Sequence, residues 1–309
     1  MSGSMKRLLF LIAAIICGQV VLAQLEPLSS QYMLNTLAIN PAYAGSREAL
    51  SITLLHRNQW TGFEGAPKTE TLALHAPLRN ESVGLGLLAM SDRAGVSDSK
   101  IFTGNFAYRI FAGSGVLSLG LGGGISIVRN RWNELVAVDP DDDALPLSAG
   151  SYILPDFSIG IYYHNDRFYG GLSMPMFLTH HFNAASGSFE LVNDFTQYTY
   201  LLHGGTLFHL SARWSILPSA MIRFSQVSTP QADINLHAGY HERAWLGFSY
   251  RTNKSLIGMF IVQVNNQLAL AYSYDTGFGH TGSSLGGSHE IMIRYDFRYI
   301  IDVINPRYF

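Results

Sequence analysis

Only one cysteine occurs in the chain, Cys17, and it lies within an apolar run near the N-terminus. Disulfide frameworks and thiol catalysis are thereby excluded from everything that follows it. Charge is scarce as well. Asp, Glu, Lys and Arg make up 14% of residues, against roughly 25% in soluble globular domains, so something other than a charged surface must face the surroundings. A net charge of -2 carries no basic surplus of the kind nucleic-acid binding requires, and no nucleic-acid partner is expected. Beyond the N-terminus there is no run of 18 or more apolar residues, which excludes a helical membrane protein. What is abundant is 48% hydrophobic residues, 12% aromatics and 30 glycines. Such a composition needs lipid or burial and has no long helix with which to find it.

Lys6 and Arg7 precede the apolar run Leu8 to Ile16, and Val21 and Ala23 stand at the minus-three and minus-one positions of a cleavage before Gln24. This is the pattern of a secretory signal peptide, too short to span a bilayer. A lipoprotein reading of Cys17 is disfavoured because the bulky Ile16 precedes it. The expected organisation is a signal peptide over 1–23, an irregular periplasmic or lumen segment over 24–49, and a barrel over 50–309. The irregular segment lacks alternation, and its Asn40-Pro41-Ala42-Tyr43-Ala44-Gly45 run holds turn formers that would interrupt a helix.

From residue 50 onward the dominant signal has period two. Ile291, Ile293, Tyr295, Phe297 and Tyr299 fall on one face of a strand, while Glu290, Met292, Arg294, Asp296 and Arg298 fall on the other. Phe157, Ile159, Ile161 and Tyr163 share a face in the same way, as do Ile234, Leu236, Ala238 and Tyr240. An Arg facing lipid at the midplane would cost about 2–4 kcal/mol, so Glu290, Arg294, Asp296 and Arg298 are assigned to the lumen. Gly120, Gly122 and Gly124 alternate with Leu119 and Leu121. They are read as lumen-facing too, an inner wall whose small residues keep space open.

Fourteen strands are expected, with long connections at 59–68, 129–155, 175–197 and 276–287 alternating with short ones such as 165–166 and 241–243. Long loops on one rim and short turns on the other are the habit of bacterial outer-membrane barrels, and an even count returns both ends to the periplasm. About 10 residues at ~3.3 Å each, tilted by ~40°, rise about 25 Å, the height of the apolar band. The fold class is therefore all-β, a transmembrane antiparallel up-and-down barrel in the outer membrane. Tyr108, Tyr152, Tyr162, Tyr163, Tyr240, Trp245, Tyr272 and Tyr274 lie near strand ends, where they are expected to build interfacial girdles.

No motif for chemistry stands out. Gly84-Leu85-Gly86-Leu87-Leu88-Ala89 matches a dinucleotide fingerprint formally, but no helix follows. Adjacent His180 and His181 lack zincin spacing, and the cluster Asp139, Asp141, Asp142, Asp143 lacks the glycine and distal Glu of a calcium loop. No catalytic residue, metal site or cofactor is expected, and the chain is read as a non-enzyme.

Several blocks are not demanded by a generic barrel: 38–45 (AINPAYAG), 59–68 (QWTGFEGAPK), 288–298 (SHEIMIRYDFR) and the terminal PRYF, together with FYGGLSMP at 168–175 and AWLGFSYR at 244–251. In these the chain resembles the PorP/SprF family across essentially the whole mature sequence. The resemblance implies an outer-membrane component of the type IX secretion and gliding machinery, which supports secretion or surface attachment of cargo. Partners implied are the cargo's C-terminal sorting domain, other type IX subunits and outer-membrane lipid. Trp60, Phe63 and Glu64 of the first long loop, with Asn40 and Tyr43 of the N-terminal segment, are the candidate partner-binding residues, since large amphipathic aromatics anchor interfaces. The competing reading is a passive or substrate-specific outer-membrane pore, suggested by the glycine wall and the lumen charges.

Overall fold

The structure, a computed structural model, describes residues 29–79, 81–131, 150–183, 188–192, 195–226, 228–277 and 286–297. Among them, the period-two segments form strands β1 (Leu50–Asn58), β2 (Lys68–Pro77), β3 (Val83–Ala94), β4 (Ser97–Ala112), β5 (Gly115–Asn130), β6 (Gly150–His164) and β7 (Phe168–Met174). A small hairpin, β8 (Thr179–Asn183) with β9 (Ser188–Val192), stands in the following loop and pairs only with itself. The wall resumes with β10 (Tyr200–Thr206) and its continuation β11 (Phe208–His209). It is completed by β12 (Trp214–Ser225), β13 (Ser228–Tyr240), β14 (Ala244–Arg251), β15 (Ser255–Gln263), β16 (Leu268–Gly277) and β17 (Ser288–Phe297).

Each wall strand pairs antiparallel with the next, and β17 returns to pair with β1 from Leu50↔Phe297 to Asn58↔His289. Because β10 and β11 both pair with β12 along one edge, they count as one wall strand, and the barrel is closed with fourteen. Closure matters physically: a membrane core offers no water for unpaired N–H and C=O groups, so only a sheet without edges can cross it.

The two faces meet different media. Outward side chains are apolar and bare, with Leu87 62%, Phe248 64% and Ile234 59% exposed. Asp233, Asn235, His237, Ser273 and Glu290, which point inward, are each no more than 2% exposed. A soluble protein would place these the other way round. The aromatic girdle needs three corrections. Tyr152, Tyr162 and Trp245 have inward parity: Tyr152 shares its face with Leu154 and Asp156, Tyr162 is buried against Tyr43 and His203, and Trp245 fills the space beside Gly239. Adjacent residues on a strand cannot share a face, so Tyr163 and Tyr162 could not both meet the interface.

The rims differ from the expected alternation on one side. The inner rim carries only short turns, but the outer rim also has short connections at 95–96, 226–227 and 252–254 beside its long loops. β3 to β6 are longer than expected, up to 16 residues in β4 and β5, so this part of the wall projects beyond its neighbours at the long-loop side.

Candidate functional site: the filled lumen and its outer mouth

Residues 29–49 lie inside the barrel. Ser29 starts at the level of Glu290 near the outer rim, and the segment descends to Ala49 at the inner rim, where β1 begins. Two 3-10 turns shape it, Thr36–Ala38 and Pro41–Tyr43. The second turn has a local cause. Asn40 caps it by accepting from the Ala42 N–H at 3.0 Å, and Pro41 supplies a preset φ at the first helical position, where its missing N–H costs nothing.

The wall is built to receive these turns. Gly84, Ala107, Gly120, Gly160 and Ser173 lie directly opposite one another across β3, β4, β5, β6 and β7, making one row of small residues. A Cβ at Gly84 would stand 2.0 Å from the Ala44 carbonyl oxygen, one at Gly120 2.1 Å from the Ala42 nitrogen, and one at Gly160 2.1 Å from Asn40 Oδ1. Ser173 Oγ donates to the Ile39 carbonyl at 2.6 Å. The glycines therefore do not keep space open, as the sequence suggested; they surrender it to the N-terminal segment. Leu37, Ala42, Tyr43 and Ala44 pack there with Ala73, Ala107 and Tyr162, while Tyr32 and Ile39 pack on Leu201 and Met221.

Charge fixes both ends of the segment. At the outer end Glu290 accepts from Ser29 Oγ at 2.9 Å and the Ser30 N–H at 2.8 Å, and it pairs with Arg57. Arg57 and Arg251 both approach Asp275 at 3.4 Å, and Arg251 grips Asp233 through two guanidinium nitrogens. At the inner end Arg47 holds Asp296 at 2.8 Å, and Ser51 Oγ donates to the same carboxylate at 2.7 Å. Charges so buried persist only when paired and hydrogen-bonded. Beside the segment a cavity of about 30 Å³ remains, lined by Ser29, Tyr32, Asn35, Ala38, Leu55 and Arg57 among others.

The residues singled out from sequence divide between two places. Asn40 is 0% exposed, and its Nδ2 donates to the Ile161 carbonyl at 3.0 Å and lies 3.4 Å from His203 Nε2. Tyr43 packs edge-on against His75 and Tyr162. Both touch only this chain, and a partner could reach them only if the segment left the lumen. Trp60, Phe63 and Glu64 instead line a cavity of about 370 Å³ at the outer mouth, together with Asn58, Lys68 and Arg93. Phe63 is 58% exposed, and Trp60 sits at φ 47° with its N–H donated to Ser288 Oγ. A bulky residue in that left-handed region is uncommon and is held by its surroundings.

Of the lumen glycines, Gly120 meets the segment, Gly122 faces Ser158 and Asn105, and a Cβ at Gly124 would run into the Phe102 carbonyl. Glu290, Arg294 and Asp296 are nearly inaccessible on the inner face, with Arg294 Nε 3.7 Å from Asp296. Arg298 and the aspartates at 139 and 141–143 lie outside the described residues, and His180 and His181 fall in β8. Sequence reasoning missed Arg57, Arg47, His203 and the Gly160 and Ser173 members of the small-residue row. For those on strands the only signal was a polar or small residue at an inward position, and Arg47, ahead of β1, gave none.

Comparison with curated proteins gives no match. Among solved structures, the KdgM porin aligns at 11% identity and TM-score 0.39 over 81% of this chain and 100% of its own. The outer membrane protein Omp33 of Acinetobacter baumannii aligns at 6% and 0.48 over 81% and 98%. The P. putida toluene transporter TodX aligns at 10% and 0.44 over 85% and 92%. Likenesses this distant add nothing to what the strand pairing already establishes. The family comparison reaches further, because it spans the lumen segment as well as the wall. The model of the type IX secretion system membrane protein PorP/SprF matches residues 21–295, and the chain, a closed outer-membrane barrel around its own N-terminal segment, belongs to that family.

Proposed function

We propose that this barrel is a non-catalytic binding scaffold of the type IX secretion system, which supports secretion or surface attachment of cargo by capturing cargo or apparatus at its rims. The observation that carries this reading is the filled lumen. With residues 29–49 held to the wall at both ends and the inward residues Asp233, Asn235, His237, Ser273 and Glu290 nearly inaccessible, the surfaces this reading gives to a partner are the rims and the outer wall.

The cargo's C-terminal sorting domain is assigned to the outer mouth. There Trp60 and Phe63 offer apolar area beside Glu64, Lys68 and Arg93, a combination of aromatic anchor and polar rim that suits an interface hot spot. Other type IX subunits are assigned to the inner rim, whose short turns face the periplasm. Asn40 and Tyr43 serve the interface indirectly, by holding the segment that closes the lumen beneath it.

Alanine at both Trp60 and Phe63 is expected to lower cargo at the cell surface while the barrel stays assembled. Unchanged surface cargo would remove the outer mouth from the mechanism. In planar bilayers the pure protein is expected to be silent, and steady channels from the intact chain would instead favour the pore reading.

A further inference from the structure

The lipid-facing side of β1 to β4 carries a notch. Leu54, Leu72, Ala89 and Phe102 lie directly opposite one another on the outward face, and the small Ala89 between two large neighbours lets a groove of about 430 Å³ reach down to the wall. Leu55, Met90, Ile291 and Ile293 add to its apolar lining, and His56, Glu70, Ser91 and Lys100 border it on the outer side. One cross-strand row nearer the outer rim the chemistry changes to His56, Glu70, Ser91 and Lys100. We propose that this groove binds one acyl chain of an anionic, phosphate-bearing lipid of the outer leaflet, with the headgroup on Lys100.

Height supports the assignment. The His56 row continues into Ile291 and Tyr272 on β17 and β16, and Tyr272, midway along β16, reaches with Tyr274 to His289 near the outer end of β17. Rows in a tilted barrel climb. The small-residue row shows the direction: it starts at Pro77, the last residue of β2, and ends at Ser173, five residues beyond the inner end of β7 at Phe168. Lys100 therefore stands above Tyr272, at headgroup height, while the apolar groove lies below it among acyl chains.

Charge points the same way. Glu70 lies 3.5 Å from His56 Nδ1, an ion pair only when the imidazole is protonated, whereas Lys100 enters no ion pair among the described residues. The next outward row holds Lys68, Arg93 and Arg129 against Asp98 alone. Over the two rows four cations face two carboxylates, a surplus that suits an anionic headgroup. The groove itself shares no lining residue with the proposed cargo surface, which it meets through the neighbouring Lys68 and Arg93, and its occupancy does not depend on cargo binding.

The test reconstitutes the purified full barrel in phosphatidylcholine vesicles containing a minor share of phosphatidylglycerol with the same chains. After extraction into mild detergent, the retained lipid is weighed by mass spectrometry of the intact complex. The wild type is expected to keep one phosphatidylglycerol in preference to the majority lipid. Ala89→Phe should lose the retained lipid, and Lys100→Gln should keep a lipid but without headgroup preference. Equal retention by wild type and Ala89→Phe, or a bound-lipid ratio in the wild type equal to that of the vesicle, overturns the proposal. Barrel assembly is checked by heat-modifiable migration on gels. If Ala89→Phe does not assemble, Ser91→Phe obstructs the same groove from the adjacent row.

Discussion

One methyl group at Gly120 should unseat the lumen segment. The Cβ of alanine would lie 2.1 Å from the Ala42 nitrogen, 2.4 Å from its Cα and 2.6 Å from the Pro41 carbonyl carbon. All three are backbone atoms, so no side-chain rotation relieves the contact. Moving the turn from 2.1 Å to an ordinary 3.4 Å separation requires a shift of about 1.3 Å. That displacement stretches the Asn40 to Ile161 and Ser173 to Ile39 hydrogen bonds, now 3.0 Å and 2.6 Å. Overpacking of a filled interior costs about 1–3 kcal/mol, and each buried hydrogen bond disturbed adds about 1 kcal/mol. A total of roughly 3–5 kcal/mol raises the population of displaced segment by about two to three and a half orders of magnitude.

The readout is a reporter cysteine at Ala38, which borders the small cavity beside the segment, introduced after confirming that the signal region carrying Cys17 has been removed. In the parent it should resist a polymer-linked maleimide. In Gly120→Ala it should label, and bilayers containing the variant should begin to conduct. Gly258→Ala is the matched control, since a Cβ there meets nothing within 4 Å. An assembled Gly120→Ala barrel that stays both unlabelled and silent would refute the docking of the segment on the glycine row.

The outer lock and the inner lock should respond differently. Glu290→Gln leaves the buried Arg57 with the more distant Asp275 as its carboxylate among the described residues, beside the neutral Ser30 hydroxyl, and unfolding in detergent should cost about 3–5 kcal/mol less. The double variant Arg57→Met/Glu290→Gln should recover part of that loss, and a double-mutant cycle with no coupling would contradict the pairing. Arg47→Ala removes a partner whose side chain is 27% exposed, so the cost is about 1 kcal/mol after solvent screening. It should speed proteolytic cutting near the inner end of the segment, and this difference from wild type should shrink in high salt.

Much of the wall was legible because its cause is local and repetitive. Ile234, Leu236 and Tyr240 against Asp233, Asn235 and His237 need only the two-residue period of a strand and the contrast between lipid and lumen. β1 begins and ends where the alternation does, at Leu50 and Asn58. Where alternation lapsed, reading failed: Tyr152, Tyr162 and Trp245 sit near strand ends, where one residue of parity decides between the membrane and the interior. The outer mouth was partly legible, since Trp60, Phe63 and Glu64 stand out in any loop and do share one cavity.

The lumen site was not legible in that way. The run Asn40 to Gly45 announced a turn, and that was all it could announce, because a turn does not say what it leans on. Gly84, Ala107, Gly120, Gly160 and Ser173 are far apart along the chain and become one row only when cross-strand register sets them opposite one another. The same holds for Ser29 with Glu290 and Arg47 with Asp296, each joining the two ends of the polypeptide. Alternation along single strands, which depends only on neighbours two residues away, thus announced the strands, and the scarcity of charge with the alternating long and short connections pointed to a membrane barrel from sequence by itself. Whether that barrel was open or filled was decided only by tertiary structure, because it depends on which distant small residues register brings together beneath the N-terminal segment.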